Sequence, residues 1–264
     1  MHALLDHTLF SNAPLSALWV ALAGALLIGM AKAGLNGCGL VAVVLFAKVF
    51  DAKESTGLVL PLLIAADLMA YMLLRGGGSW KQMWKLAVPA MIGVVTGAWL
   101  LDKLDHHIAG KVIGWIIIAL LLAKLALDRW HEELKAFHRH HTFTWFMGFL
   151  AGVVTMLANA AGPVMTIYLL AQKSEKKEFL GIFARYFLFM NLFKLPFSYM
   201  IGRVGGNSHT LINQASLFTN LLLIPAVALG VWLGWAIIKR MPQKIFEWVM
   251  FILALISAME LVWS

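Results

Sequence analysis

Residues 15–49 read LSALWVALAGALLIGMAKAGLNGCGLVAVVLFAKV. An apolar run over 15–31 is followed by a single cation, Lys32, then a tip of small residues holding Asn36, then a shorter apolar run over 38–50. At ~1.5 Å of rise per residue the first run matches the roughly 30 Å of membrane hydrocarbon, whereas the second covers only roughly 15–20 Å. The short run is therefore a half-span or a thin crossing. This alternation of long runs with one short run after a small-residue tip decides the fold.

Working outward, long apolar runs recur at 56–74, 84–101, 110–127, 143–158, 179–201, 214–238 and 244–263, and a second short run lies at 163–172. The chain is 61% hydrophobic and 13% charged, against about 45–50% and 25% in soluble domains, which excludes a water-soluble globule. The runs use nearly all of the length, leaving no room for a soluble domain of even ~50 residues. Lysines and arginines outnumber acids 21 to 13, but they sit between apolar runs, so orientation in a bilayer explains them and a nucleic-acid partner does not. The lone Cys38 permits no intrachain disulfide and no cysteine pair marks structural zinc. The first fourteen residues hold Asp6 and no lysine or arginine, so the run from Leu15 lacks the positive flank of a cleaved signal and is expected to be a retained helix.

Charge placement chooses between eight and ten crossings. If both short runs cross, fourteen of the nineteen lysines and arginines other than Arg185 and Lys194 fall on one side, and only Lys48, Lys53, Lys103, Lys111 and Arg203 on the other. If they turn back, the same residues divide eight to eleven and carry almost no signal. The positive-inside rule thus favours ten crossings with both termini on the periplasmic side.

An ordered internal repeat agrees. Lys53-Glu54 followed by Gly57 recurs as Lys177-Glu178 followed by Gly181, and at the same offset of 124 Asp67 aligns with Asn191. Pro89 with Gly93, Gly97 and Trp99 is answered by Pro225 with Gly230, Gly234 and Trp235, placing a small-residue face in each half. Five crossings per copy is odd, so the copies run upside down to one another. The expected fold is an all-α polytopic membrane protein of two inverted five-span repeats, 1–127 and 143–264, joined by a cytoplasmic linker, 128–142, with short or discontinuous helices after the tips. The linker, with Trp130, Leu134 and Phe137 among charged residues, reads as an amphipathic tether.

The tips carry the strongest chemical signal. Ala33 to Gly39 contains Asn36, Gly37 and Gly39; Ala158 to Pro163 contains Asn159 and Gly162. Glycine permits unwound backbone, Pro163 suits a first helical turn, and a helix starting there offers free N–H groups and a positive dipole end to an anion. Tight turns whose asparagines satisfy backbone groups are the plainer alternative. Within the spans, Asp67 lies about midway along its run, either as a proton-coupling group or paired with a cation for packing. Lys32 would neutralise an anion or snorkel to headgroups; Arg185, some six residues into its helix, has the same two readings. Lys194 follows Asn191 on a nearby face, and Pro196 and Pro61 loosen the two helices concerned. Histidines 131, 138, 140 and 141 define no metal geometry, and His131 to Lys135 is not a zinc-protease motif. No hydrolase or nucleotide motif appears, so no enzyme, metal or cofactor is expected.

With these tips and short helices, the sequence resembles the TauE/SafE family of sulfite and sulfonate exporters over nearly its whole length. The resemblance rests on Gly34-Leu35-Asn36-Gly37-Cys38-Gly39, and on Gly148 to Gly152 leading to Asn159-Ala160-Ala161-Gly162-Pro163. Cys38 and Ala160-Ala161 stand where members often have more glycine, which bears on substrate identity. The resemblance implies a carrier in a bacterial-type inner membrane, moving small sulfur-containing or carboxylated anions, usually outward. Its partners would be a small anion and the lipid bilayer; a homodimer is left open. An accessory membrane subunit or assembly protein without transport of its own is the alternative.

Overall fold

The computed structural model describes residues 8, 10, 15–35, 37–49, 52–101, 111, 115, 118, 119, 122, 141–159, 161–204 and 214–263. Among these, nine helices follow the hydropathy closely: α1 (Leu15–Lys32), α2 (Gly37–Val49), α3 (Ala52–Leu74), α4 (Trp80–Leu101), α5 (His141–Ala158), α6 (Ala161–Ala171), α7 (Lys176–Val204), α8 (Gln214–Arg240) and α9 (Gln243–Trp263). Four stretches, Leu15–Lys32, Trp80–Leu100, Lys176–Phe197 and Ala215–Arg240, are long and apolar enough to cross a membrane. The chain is a helical membrane protein. Most of the 110–127 run, Asn36, Ala160 and nearly all of the 128–142 linker lie outside the described residues. Pro61, Pro89, Pro196 and Pro225 all sit inside helices whose assignment continues through them.

Local chemistry sets the helix ends. α1 stops because Gly34 takes a positive φ of 124°, letting Gly34 N donate to Ala31 O at 3.0 Å and Leu35 N to Met30 O at 3.1 Å. This double bond to the last turn is the Schellman ending, which glycine accommodates. α6 ends the same way with Lys173 at φ 53°, Lys173 N donating to Leu170 O and Ser174 N to Leu169 O. α4 begins on a reciprocal cap, with Ser79 N donating to Gln82 Oε1 at 2.7 Å and Gln82 N to Ser79 Oγ at 3.2 Å.

Two compact units result. The first comprises residues 1–73 and 191–239; the second, 74–190 and 240–264. In the first unit α1 packs on α8 at backbone contact: a Cβ on Gly29 would overlap the carbonyl of Val227, and one on Gly230 the carbonyl of Leu26. Gly234 lies against Met30 and the Ala33 methyl. In the second unit α4 packs on α5 through the same set, with Gly152 against the carbonyl of Ala90, Gly93 against that of Phe149, and Gly97 against Val153 and Met156. Both pairs are parallel, since contact positions rise together along the two helices. The correspondence holds residue by residue: every α1 position in the first set lies 123 before its α5 counterpart, and every α8 position 137 after its α4 counterpart. Without a hydrophobic drive between helices in lipid, close backbone approach of this kind supplies the packing.

Candidate functional site

A buried polar cluster sits in the first unit. α3 carries Asp67 on its inner face and α1 ends at Lys32, whose Nζ lies 3.0 Å from Asp67 Oδ1. From α7, Asn191 Nδ2 donates to the other carboxylate oxygen, Oδ2, at 2.5 Å. Lys194, one turn further along α7, lies within electrostatic range of both Asp67 and Lys32. All four side chains are buried, with relative exposures of 8% for Lys32, 1% for Asp67, 1% for Asn191 and 2% for Lys194. Removing such charges from water is costly, and the cluster persists because each carboxylate oxygen has a partner.

Asp67 is the sole buried acid among the described residues, and the basic side chains of Lys32, from α1, and Lys194, from α7, lie within electrostatic range of it. With both lysines protonated and Asp67 ionised, the three groups would sum to one positive charge. The Lys32 ammonium is turned to Asp67 inside the protein. Asp67 and Asn191, matched by the internal repeat, are in direct contact.

The other predicted residues have these surroundings. Arg185 belongs to the second unit, where Nη1 donates to Gly77 O at 2.5 Å and Gly181 O at 2.8 Å, and Nη2 to Arg75 O at 2.5 Å. Arg75 and Gly77 follow the end of α3, so the guanidinium serves as a cap for exposed carbonyls. It also lies 5.7 Å from the Trp80 ring centre. Asn159 ends α5 in the left-handed region, φ 52°, with its N–H donating to Thr155 O at 3.1 Å. This is a conformation asparagine tolerates better than most residues. In the first turn of α6, Gly162 is half-buried and Pro163 is buried. Gly37 opens α2, and among the described residues a Cβ on Gly39 would find only the Ala31 methyl, at 3.4 Å. Asn36 lies outside the described residues.

Sequence reasoning passed over Asn220 on α8. It is buried in the first unit, and among the described residues neither its amide nitrogen nor its amide oxygen has a hydrogen-bond partner. The one signal available was an asparagine six residues into an apolar run, which hydropathy averages away. Tyr186 on α7, in the second unit, has a similarly buried hydroxyl that finds no hydrogen-bond partner among the described residues.

No curated protein and no solved structure matches the chain. A family model does: that described as sulfite exporter TauE/SafE matches residues 21–261, and the chain belongs to this family of membrane transporters.

Proposed function

We propose that this chain is a secondary carrier that exports sulfite, an organosulfonate or a related small carboxylated anion by alternating access, with the Lys32–Asp67–Asn191–Lys194 cluster at its centre. The observation that carries the reading is that buried cluster, one carboxylate held by the Lys32 ammonium and the Asn191 amide with a second buried lysine, Lys194, within electrostatic range. Protonation of Asp67 Oδ1 would leave Lys32 without its counter-charge and ready to bind an anion, so proton and anion would move together. Asn191 would orient the carboxyl in either state, and the tips at Asn36, Gly37 and Gly39 and at Asn159 and Gly162 would add backbone N–H donors. Arg185 would act by holding the end of α3 in place.

The proposed scaffold is a pair of inverted five-span repeats. It is supported by the matched glycine contacts of α1 with α8 and α4 with α5, which join the first helix of each half to the fourth helix of the other. It is supported too by the contact of Asp67 with Asn191, because equivalent residues meet where a pseudo-two-fold axis passes. Parallel α4 and α5 need an odd number of crossings between them, which the 110–127 run would supply as the fifth span. With the charge bias, this supports both termini lying on the periplasmic side of an inner membrane.

Counterflow of labelled sulfite in proteoliposomes tests the proposal. Wild type should show saturable exchange, and Lys32→Gln and Lys194→Gln should each fall roughly tenfold to a hundredfold, the loss expected for a hydrogen bond to a charged group. Unchanged exchange in both folded variants, or flux that needs a second polypeptide, would refute it.

A further inference from the structure

A surface groove between the first turns of α4 and α5, within the second unit, has no role in the site described above. It is lined by Lys81, Trp84, Lys85 and Val88 of α4 and by His141 and Trp145 of α5, all exposed. We propose that it binds an anionic glycerophospholipid, with the phosphodiester between Lys81, Lys85 and His141 and an acyl chain along Trp84, Val88 and Trp145.

Three features point to lipid. α4 and α5 run parallel and start at the same level, so Lys81 and His141 share one depth, while Val88, two turns on, lies roughly 10 Å deeper. Lys81, Lys85 and His141 thus stand toward one end of a largely apolar groove along the membrane normal, as a headgroup stands over its acyl chains. The aromatic walls are fixed in place: Trp145 Nε1 donates to His141 Nε2 at 2.8 Å, and Trp84 packs edge-on against Phe189 with ring centres 4.7 Å apart. Because His141 accepts at Nε2, its proton sits on Nδ1, leaving an N–H donor for a phosphate oxygen. Tryptophan belongs at the bilayer interface, and basic pockets between helices on the cytoplasmic side select acidic headgroups. An anionic lipid supplies the negative charge that two lysines one turn apart lack in each other.

The inference rests on the membrane reading and not on transport, so it is tested without a flux assay. Purified protein in detergent is titrated with phosphatidylglycerol, with phosphatidylcholine of the same acyl chains, and with inorganic phosphate, reading retained lipid by native mass spectrometry and the melting temperature in parallel. Wild type should retain phosphatidylglycerol selectively and melt higher with it, while phosphatidylcholine and phosphate have little effect. Lys81→Gln with Lys85→Gln should weaken phosphatidylglycerol binding roughly thirtyfold, at about 1 kcal/mol per lysine. Lys244→Gln, an exposed lysine outside the groove, should bind as wild type does. Equal retention of the two lipids by wild type, an equal shift with phosphate alone, or full selectivity in the double lysine variant would each overturn the proposal. Should that variant fail to fold, Trp145→Leu, which removes the aromatic wall and its bond to His141, must lose the selective retention or the proposal falls.

Discussion

At the residue scale, Lys32 and Asp67 pose the question of whether a buried ion pair is there for packing or for work. Their carboxylate and ammonium meet at 3.0 Å with almost no solvent contact. Removing one partner leaves the other charged and buried, so Lys32→Met should cost roughly 3–5 kcal/mol, seen as a fall in melting temperature. Replacing both, Lys32→Met with Asp67→Leu, should recover most of that loss, since apolar substitutes for a buried pair are often neutral. If the pair serves transport, the recovered protein stays inactive in flux; a stable and active double variant would assign the pair to packing alone. Of this site, the sequence showed Asp67 and Asn191 as equivalents and Lys32 and Lys194 as cations in apolar surroundings. Their convergence was illegible, because Lys32 and Asp67 come from different helices and nothing local dictates the pairing. Arg185 was harder still: its carbonyl partners at Arg75 and Gly77 stand more than a hundred positions away in the chain.

At the element scale, the helices were legible because lipid thickness sets their length and hydropathy marks it. The run over 143–158 became α5 at His141–Ala158, and 179–201 became α7 at Lys176–Val204, the latter longer because a helix continues past the apolar region while its own backbone bonds are satisfied. The Pro and Gly series at the end of each half was visible as a small-residue face, but which helix each face would meet was not. Backbone contact at those glycines makes a sharp expectation. Gly230→Ala in the first unit and Gly93→Ala in the second should each destabilise by roughly 1–3 kcal/mol, because the methyl overlaps a carbonyl that neither parallel helix can move without repacking. Gly39→Ala should melt close to wild type, since among the described residues its Cβ meets only ordinary contact at 3.4 Å. Gly39 is thereby a clean probe of the first tip: a folded Gly39→Ala with impaired exchange would implicate the tip, and normal exchange would remove it from the site.

At the scale of the whole molecule, two halves with matched contacts predict an odd number of crossings in each and both termini on one side. Cysteines placed at the two ends of a Cys38→Ser background should react with a membrane-impermeant maleimide on intact cells. Labelling of only one end would contradict the ten-crossing topology. The central claim, that a single buried carboxylate links proton movement to anion movement, has a more direct measurement: sulfite and proton fluxes recorded together in proteoliposomes under an imposed pH gradient, for wild type and Asp67→Asn. Asparagine keeps the shape and hydrogen bonding of the carboxyl but takes no proton. Sulfite flux in wild type should follow the gradient and carry protons with it, whereas in folded Asp67→Asn any remaining sulfite flux should ignore the gradient and carry none. Gradient-driven sulfite flux with accompanying protons in Asp67→Asn, equal to wild type, would contradict the account.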